Sequence, residues 1–308
     1  MKFTKPALSI DDQLLLLRSR GMVIADEPAA RHYLTHISYY RLRAYWIPFE
    51  GPVPAAGGHV FIPGTTFEDV LALYVFDRHL RLLVLDAIER VEVALRAAWA
   101  HQVAMSHGPH GHIDATHHQN QAFHANSIAD FWKEIDRSND LFISHYRRTY
   151  NDPVLPPVWM AAEIISLGVL SRWIDNIKAR QVRQAISKPF GIDESVLVSF
   201  AHHVSTVRNT AAHHGSLWNR RFTVTMRVPG YPARLAIAMR DADPRKLHNT
   251  LLMLDHLLSV AAPGNEWRKR VVELINGCPQ VNPALMGFPP DWQSLAAWKV
   301  NYVRYEPS

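Results

Sequence analysis

Three features are scarce or missing in this sequence, and each excludes a class of protein. The 308 residues include one cysteine, Cys278, so no disulfide can form within the chain, which favours a reducing compartment. No stretch approaches the roughly 20 consecutive apolar residues that a membrane-spanning helix needs. Near the start, Asp11 and Asp12 stand where a signal peptide needs an apolar run. We therefore expect a soluble, cytoplasmic protein with no membrane partner.

The composition is that of an ordinary globular protein. Hydrophobic residues make up 48% of the chain and charged residues 20%, which excludes a disordered or fibrous protein. The length permits one large domain or two small ones. The net charge of +5 is a mild basic bias that suits a polyanion such as RNA without identifying one.

The hydrophobic pattern predicts an all-α protein. Ser9 and Asp12 form a capping box that opens a first short helix, and Asp26 caps a second. A long helix is predicted from Phe67 to Met105, because its apolar residues recur every three or four positions. Residues 51–64 hold several prolines and glycines and are expected to form a loop.

Further helices are expected downstream. One is predicted from Trp159 to Ala179, with Gly168 in its interior marking a close helix–helix contact. Asp193 caps the next helix. The alternating residues after Phe222 predict a short extended segment. The remaining predicted helices begin at Asp243, at Asn265 and after Asp291, the first running to Leu258 and the second to Ile275.

Two segments are rich in residues that also serve in binding sites. Tyr39 to Trp46 is dense in aromatic residues and arginine, on which bases can stack, although core and interface anchors are the simpler expectation. Residues 107–124 carry six histidines, and imidazole clusters can bind zinc, nickel or copper. Because no cysteine takes part and the spacing repeats no metal template, we predict a solvated loop and no metal site.

The densest chemistry lies between residues 200 and 222, where Arg208, Asn209, His213 and His214 stand within seven residues. An imidazole transfers protons near neutral pH, and a guanidinium fits phosphate oxygens as a fork. The amide can hold either partner by hydrogen bonds. Cleavage of RNA without a metal needs a base for the 2′-hydroxyl, an acid for the leaving oxygen and a cation for the developing charge.

Spacing alone does not identify this site, because Arg96 and His101 repeat the same interval. On a regular helix Arg208 and His213 lie about 140° apart and do not point at one spot. We expect Gly215 to end the helix and loosen its last turn, which would let His213 swing toward the arginine. A two-fold dimer would bring both residues from each chain to one composite site.

The surrounding residues resemble a known family. The motif R-N-T-A-A-H-H at residues 208–214, with L-W-N-R at 217–220, resembles the signature of the Abi-like (AbiD/AbiF-type) abortive infection proteins of the HEPN superfamily. The mark of that superfamily is R-(N/D/H)-x-x-x-H. Three upstream segments are also similar to the family: Y-Y-R-L at 39–42, the long helix between 73 and 92, and the P-P-x-W…E…S-x-G pattern at 156–168. The resemblance covers roughly residues 8–222.

This resemblance implies a HEPN-type helical bundle. The expected parts are a small N-terminal helical lobe at 1–50, a core carrying the motif at 65–222, and a C-terminal extension at 223–308. It also implies a homodimer that acts in phage defence as a toxin-like, metal-independent endoribonuclease with no cofactor.

Carried over by position, Arg208 and His213 take the catalytic roles and Asn209 is the polar residue beside the arginine. The RNA-binding candidates are His214, Asn219, Arg220 and Arg221. Arg220 and Arg221 would grip flanking phosphates, and for these two the role of solvated surface charge is an open alternative.

Other functions stay open at this stage. One is a non-catalytic RNA-binding or sensor protein of the same superfamily, since fold does not entail catalysis. Another is a metal-dependent hydrolase that uses the histidine-rich segment. The RNA target, the trigger, and a regulatory small RNA or antitoxin as a further partner are also left open by the sequence.

Overall fold

A computed structural model describes residue 2, residues 6–52 and residues 58–299. Over this part the regular secondary structure is helical, joined by loops. Strands are absent there, and the extended backbone pairs only at isolated bridges. The predicted all-α class is therefore confirmed. The helices are α1 (Ile10–Ser19), α2 (Glu27–Ile37), α3 (Tyr39–Trp46), α4 (Phe67–His107), α5 (Gln121–Arg137), α6 (Leu141–Thr149), α7 (Val158–Ile164), α8 (Leu167–Asp175), α9 (Arg180–Ser187), α10 (Glu194–Ala212), α11 (Ala233–Met239), α12 (Leu247–Ala261) and α13 (Trp267–Asn276).

The chain forms two compact units. The first is Met1–Leu80 with Glu273–Asn282, and the second is Arg81–Val272 with Pro283–Ser308. None of the helices in the described ranges is both long enough and apolar enough to cross a membrane.

The first unit holds α1 to α3 and the beginning of α4. The predicted capping box is present, because the backbone N–H of Asp12 donates to Ser9 Oγ at 3.1 Å. In the aromatic segment, Tyr45 and Trp46 are buried as expected of core anchors, whereas Tyr40 is 86% exposed. Tyr45 and Trp46 are therefore confirmed as core anchors, whereas Tyr40 is not part of the core.

The second unit contains α10, the helix that carries Arg208. Its start is the predicted one, since the backbone N–H of Ser195 donates to Asp193 Oδ1 at 2.8 Å. The buried face of this helix packs against α8 and α9, and its opposite side faces solvent. The buried residues of this helix include Phe200, Val204, Val207 and Ala211.

Two predictions for the second unit, one helix and the place of its glycine, are wrong in detail. The helix predicted from 159 to 179 is two helices, α7 and α8, because Ser166 caps a new helix by accepting a hydrogen bond from the N–H of Val169 at 3.3 Å. Gly168 therefore stands in the first turn of α8, and a Cβ there would lie 3.9 Å from Ser205 Oγ, an ordinary contact. The segment after Phe222 is irregular, and α11 follows it unpredicted.

Candidate functional site

The end of α10 is a well-ordered helix terminus. The backbone N–H of His213 donates to the carbonyl of Asn209 at 3.0 Å, so the last turn stays closed. His214 then takes a left-handed conformation, with φ of 60°. Its N–H donates to Ala211 at 3.0 Å, and the N–H of Gly215 donates to Thr210 at 2.8 Å. These two bonds form a Schellman motif, which satisfies carbonyls that a helix end otherwise leaves unpaired.

Gly215 serves this terminus differently from the sequence expectation. The left-handed residue is His214, whereas a glycine usually fills that position. At Gly215 the requirement is space, because a Cβ would lie 3.0 Å from both Cγ2 and the carbonyl oxygen of Thr210. The expected loosening of the last turn, which was to let His213 move, is therefore wrong.

Arg208, Asn209, His213 and His214 are all exposed at this helix end. The guanidinium of Arg208 donates to Asn209 Oδ1 at 3.3 Å and has no carboxylate partner in the described structure. Because the helix stays regular to Ala212, Arg208 and His213 remain about 140° apart around its axis. Within one chain the arginine and the imidazole thus do not converge, whereas Asn209 and His213, four residues apart, share a face.

The left-handed backbone at His214 gives a testable effect on stability. Left-handed φ costs a residue with a Cβ roughly 1–2 kcal/mol relative to glycine. We therefore expect His214→Gly to be about 1 kcal/mol more stable than His214→Ala, measured as the free energy of unfolding in urea. Both variants lack the imidazole, so their difference reports only the backbone.

The matched control for this comparison is His202, an exposed histidine inside α10. There the order should reverse, because glycine in a helix interior is about 1 kcal/mol less favourable than alanine. Equal stability of His214→Gly and His214→Ala would contradict the assigned backbone conformation.

The residues that follow the helix anchor it to the core. Leu217 and Trp218 are buried, with 0% and 2% of their surface exposed. Ser216 Oγ donates to the carbonyl of Trp218 at 3.0 Å and tightens the turn. Arg220 is exposed, and its Nη1 donates to the carbonyl of Ser216 at 3.4 Å, which keeps the guanidinium beside the end of α10.

Asn219 and Arg221 are engaged with the segment before α12. Lys246 Nζ donates to Asn219 Oδ1 at 2.9 Å, and Arg221 Nη1 pairs with Asp243 Oδ2 at 2.9 Å. Burial, followed by the nearby Arg221, lowers the pKa of the Lys246 ammonium, while Asp243 opposes this shift. Lys246 therefore adds a cation beside the site, 27 residues from Asn219, that no local sequence signal indicates.

The second R-x4-H pair differs from the first. The side chain of Arg96 is only 16% exposed, and its guanidinium pairs with Glu92, four residues before it, and donates to the carbonyl of Ala162. His101 is exposed on the same helix. The donors of Arg96 are thus used within the fold, whereas those of Arg208 face solvent.

The histidine-rich segment is not the solvated loop that was predicted. His112, His118 and His124 are buried, with 1%, 6% and 4% of their surface exposed. The Nε2 atoms of His118 and His124 lie 3.2 and 2.9 Å from the carbonyl oxygen of His112. Burial lowers the pKa of His112 to about 3 and that of His118 to about 4. Among residues 2, 6–52 and 58–299, no group of three or more histidine, cysteine, aspartate or glutamate side chains could hold a metal ion.

Comparison with known families gives one match. The model of the family described as Abi-like protein matches residues 32–219, which include α10, the motif at its end and the anchor at Trp218. Arg220 and Arg221 fall just outside the matched range. No curated protein and no solved structure matches the chain.

Proposed function

The chain belongs to the Abi-like protein family, which suggests a role in abortive infection, and from that premise we propose that it is a phage-defence effector that cleaves RNA. The observation that carries the proposal is the exposure of Arg208 and its lack of a carboxylate partner in the described ranges. The Arg208 guanidinium stands in the last two turns of α10. A fork of this kind is suited to phosphate oxygens.

In this proposal the reaction is an attack by the RNA's own 2′-hydroxyl on the neighbouring phosphorus. One His213 imidazole takes the 2′-hydroxyl proton, a second gives a proton to the departing 5′ oxygen, and Arg208 stabilises the charge on the phosphate oxygens. The bond formed is 2′-O to phosphorus, and the bond broken is phosphorus to 5′-O. The products are a 2′,3′-cyclic phosphate and a 5′-hydroxyl, with no net consumption of protons and no metal ion required. Asn209 orients the arginine or the phosphate.

A HEPN-type homodimer supplies what one chain lacks. One chain has a single His213, which offers an acid or a base but not both, and Arg208 lies about 140° away from it around the helix. An isologous dimer that juxtaposes the ends of two α10 helices provides two imidazoles and two guanidinium groups in one cleft. Light scattering is expected to give twice the 35.1 kDa mass of one chain. A monomeric protein that cleaves RNA would rule out the shared site.

A second candidate is a non-catalytic RNA-binding or sensor protein. It is favoured by the absence of any hydrogen bond between Arg208 and His213 within the described chain. The same exposed groups would then hold phosphates without reacting.

Incubation with RNA in EDTA decides between the two candidates. The proposed nuclease converts a labelled single-stranded RNA into shorter fragments with EDTA present. A protein that retards the RNA on a gel and leaves it intact would support the sensor and exclude the nuclease.

A further inference from the structure

We infer that the cleft between α5, α8 and α10 binds the single-stranded RNA segment that flanks the cleaved phosphate. The inference rests on the proposed function for the identity of the bound polymer. The cleft has a volume of about 770 Å³ and lies entirely within the second unit. That volume is in the range of sites that enclose a ligand the size of a nucleotide or larger, about 300–1,000 Å³.

Three arginines in the cleft carry the argument. Arg172 projects from α8, Arg183 from α9 and Arg227 from the segment after α10. None of the three has a carboxylate partner in the described ranges, whereas the neighbouring Arg180 pairs with Glu194. Phosphates accept the forked donors of guanidinium groups gathered at one concave surface. Arg172 and Arg227 are the more available two, because Arg183 Nη1 also donates to the carbonyl of Ile177.

The carboxylates of the cleft do not cancel this charge. Glu194 is buried, and its Oε1 pairs with Arg180 Nε at 2.5 Å, so that carboxylate is already compensated. Asp175 is the other acidic residue of the lining. The cleft therefore retains an excess of positive charge.

A stacking surface completes the site. Phe123, at the start of α5, lines the cleft, and the Arg172 guanidinium carbon lies 5.9 Å from its ring centroid. Grooves that bind single strands combine cations for the backbone with flat groups on which bases stack. The Arg172 guanidinium lies over one face of the Phe123 ring, so the other face of the ring and the outer face of the guanidinium are the flat groups proposed for base stacking.

The direction of α10 connects the cleft to the motif. His202 lines the cleft, while Asn209 and His213 stand seven and eleven residues further along. These intervals bring Asn209 and His213 each within about 20° of His202 around the helix, and His213 is roughly 16 Å from His202 along the axis. A strand lying in the cleft can therefore follow one face of α10 to the proposed site of cleavage.

The test is the affinity for a 12-nucleotide 2′-O-methyl RNA, measured by fluorescence anisotropy at several salt concentrations. This RNA has no free 2′-hydroxyl, so its binding is independent of cleavage. For the double variant Arg172→Gln/Arg227→Gln we expect the slope of log K against log salt to fall by about 1.4, because each lost phosphate contact removes about 0.7. The same relation gives a loss of affinity of roughly 10- to 30-fold near 0.1 M salt. Phe123→Leu keeps an apolar side chain and should weaken binding about tenfold by removing the stacking ring.

The matched control is Arg148→Gln, an exposed arginine at the end of α6, outside the cleft and without a carboxylate partner among the described residues. It should bind RNA as the wild type does. Wild-type affinity in the cleft variants, an equal loss in Arg148→Gln, or full displacement of the RNA by 5′-AMP at equal nucleotide concentration would each overturn the inference. Cleavage of unmodified RNA is scored separately, so failure of the nuclease proposal leaves a different pattern: altered binding in the cleft variants with no cleavage by any form.

Discussion

Replacing His213 by alanine is expected to lower the rate of RNA cleavage by about 10²- to 10⁴-fold, because proton transfer by a positioned imidazole contributes a factor of that size. Replacing Arg208 by alanine should cost about 10²- to 10³-fold, the usual effect of removing one group that stabilises developing charge. Arg208→Lys should recover only part of that loss, since an ammonium keeps the charge without the fork. Single-turnover rates on a defined RNA in EDTA measure these changes.

The chain provides matched controls for both substitutions. His101→Ala removes the exposed histidine of the second R-x4-H pair. Arg148→Ala removes an exposed arginine of α6 that has no carboxylate partner among the described residues. Both controls should cleave within about twofold of the wild type, because surface substitutions away from special features change little. Losses of activity in the controls equal to those in Arg208→Ala and His213→Ala would mean that spacing and charge, rather than this site, determine activity.

Acid should destabilise the second unit well before its carboxylates are protonated. Burial lowers the pKa of His112 to about 3 and that of His248 to about 4, from an ordinary value near 6.5. The unfolded chain therefore binds protons that the folded chain excludes, and stability is present above pH 6.5 and lost as the pH falls toward these lowered values. At pH 5 each of these two histidines has lowered the free energy of unfolding by about 2 kcal/mol, at roughly 1.4 kcal/mol per pH unit below about 6.5. His118 acts in the same direction.

Urea unfolding at pH 7, 6 and 5 measures this loss, which we expect to reach about 4 kcal/mol from His112 and His248 together. Because carboxylates titrate below about pH 4.5, the interval from pH 6.5 to 5 isolates the histidines. His248→Gln should reduce the loss of unfolding free energy between pH 7 and pH 5 by about 2 kcal/mol, since it removes one buried imidazole that protonates only in the unfolded chain. In the wild type, Trp298 Nε1 donates a hydrogen bond to His248 Nε2 at 3.1 Å. A glutamine oxygen can accept the same hydrogen bond. Unchanged stability between pH 7 and pH 5 would contradict the burial of these neutral histidines.

Long-range burial explains why the histidine-rich segment was misjudged from the sequence. Its glycines, its proline and its six histidines favour a loop, and the backbone from 108 to 120 does contain only one 3₁₀ turn. Burial is a different property, because it depends on which surfaces pack over the loop. His112 lies against the rings of Trp99 on α4, Phe131 on α5 and Trp173 on α8, the last of them 61 residues away in the sequence.

Helix positions were more predictable where a signal repeats. The periodic apolar residues predicted α4 from Phe67 to Met105, and the helix runs to His107. The break between α7 and α8 depends on one capping serine, Ser166, whose signal is easily masked by the apolar residues around it. Single local signals are weak because tertiary packing decides whether they are used.

At the candidate site, the sequence predicted the helix that carries the motif but not the backbone conformation and contacts that fix the residues after it. The placement of Arg208 on a helix capped by Asp193 was predictable, because the cap and the apolar stripe are local. The left-handed His214 was not, since glycine is the usual choice and stands next to it. The contacts of Asn219 with Lys246 and of Arg221 with Asp243 join segments separated by more than twenty residues.

The most direct test of the proposed chemistry is the chemical nature of the ends left on the cut RNA. A defined RNA is incubated with the wild-type protein in EDTA, and the 5′ fragments are analysed by mass spectrometry. The proposal predicts fragments that end in a 2′,3′-cyclic phosphate, with cleavage abolished when the residue at the cut carries 2′-deoxyribose. Fragments ending in a 3′-hydroxyl, unchanged cleavage of the 2′-deoxy substrate, or no cleavage at all would contradict it.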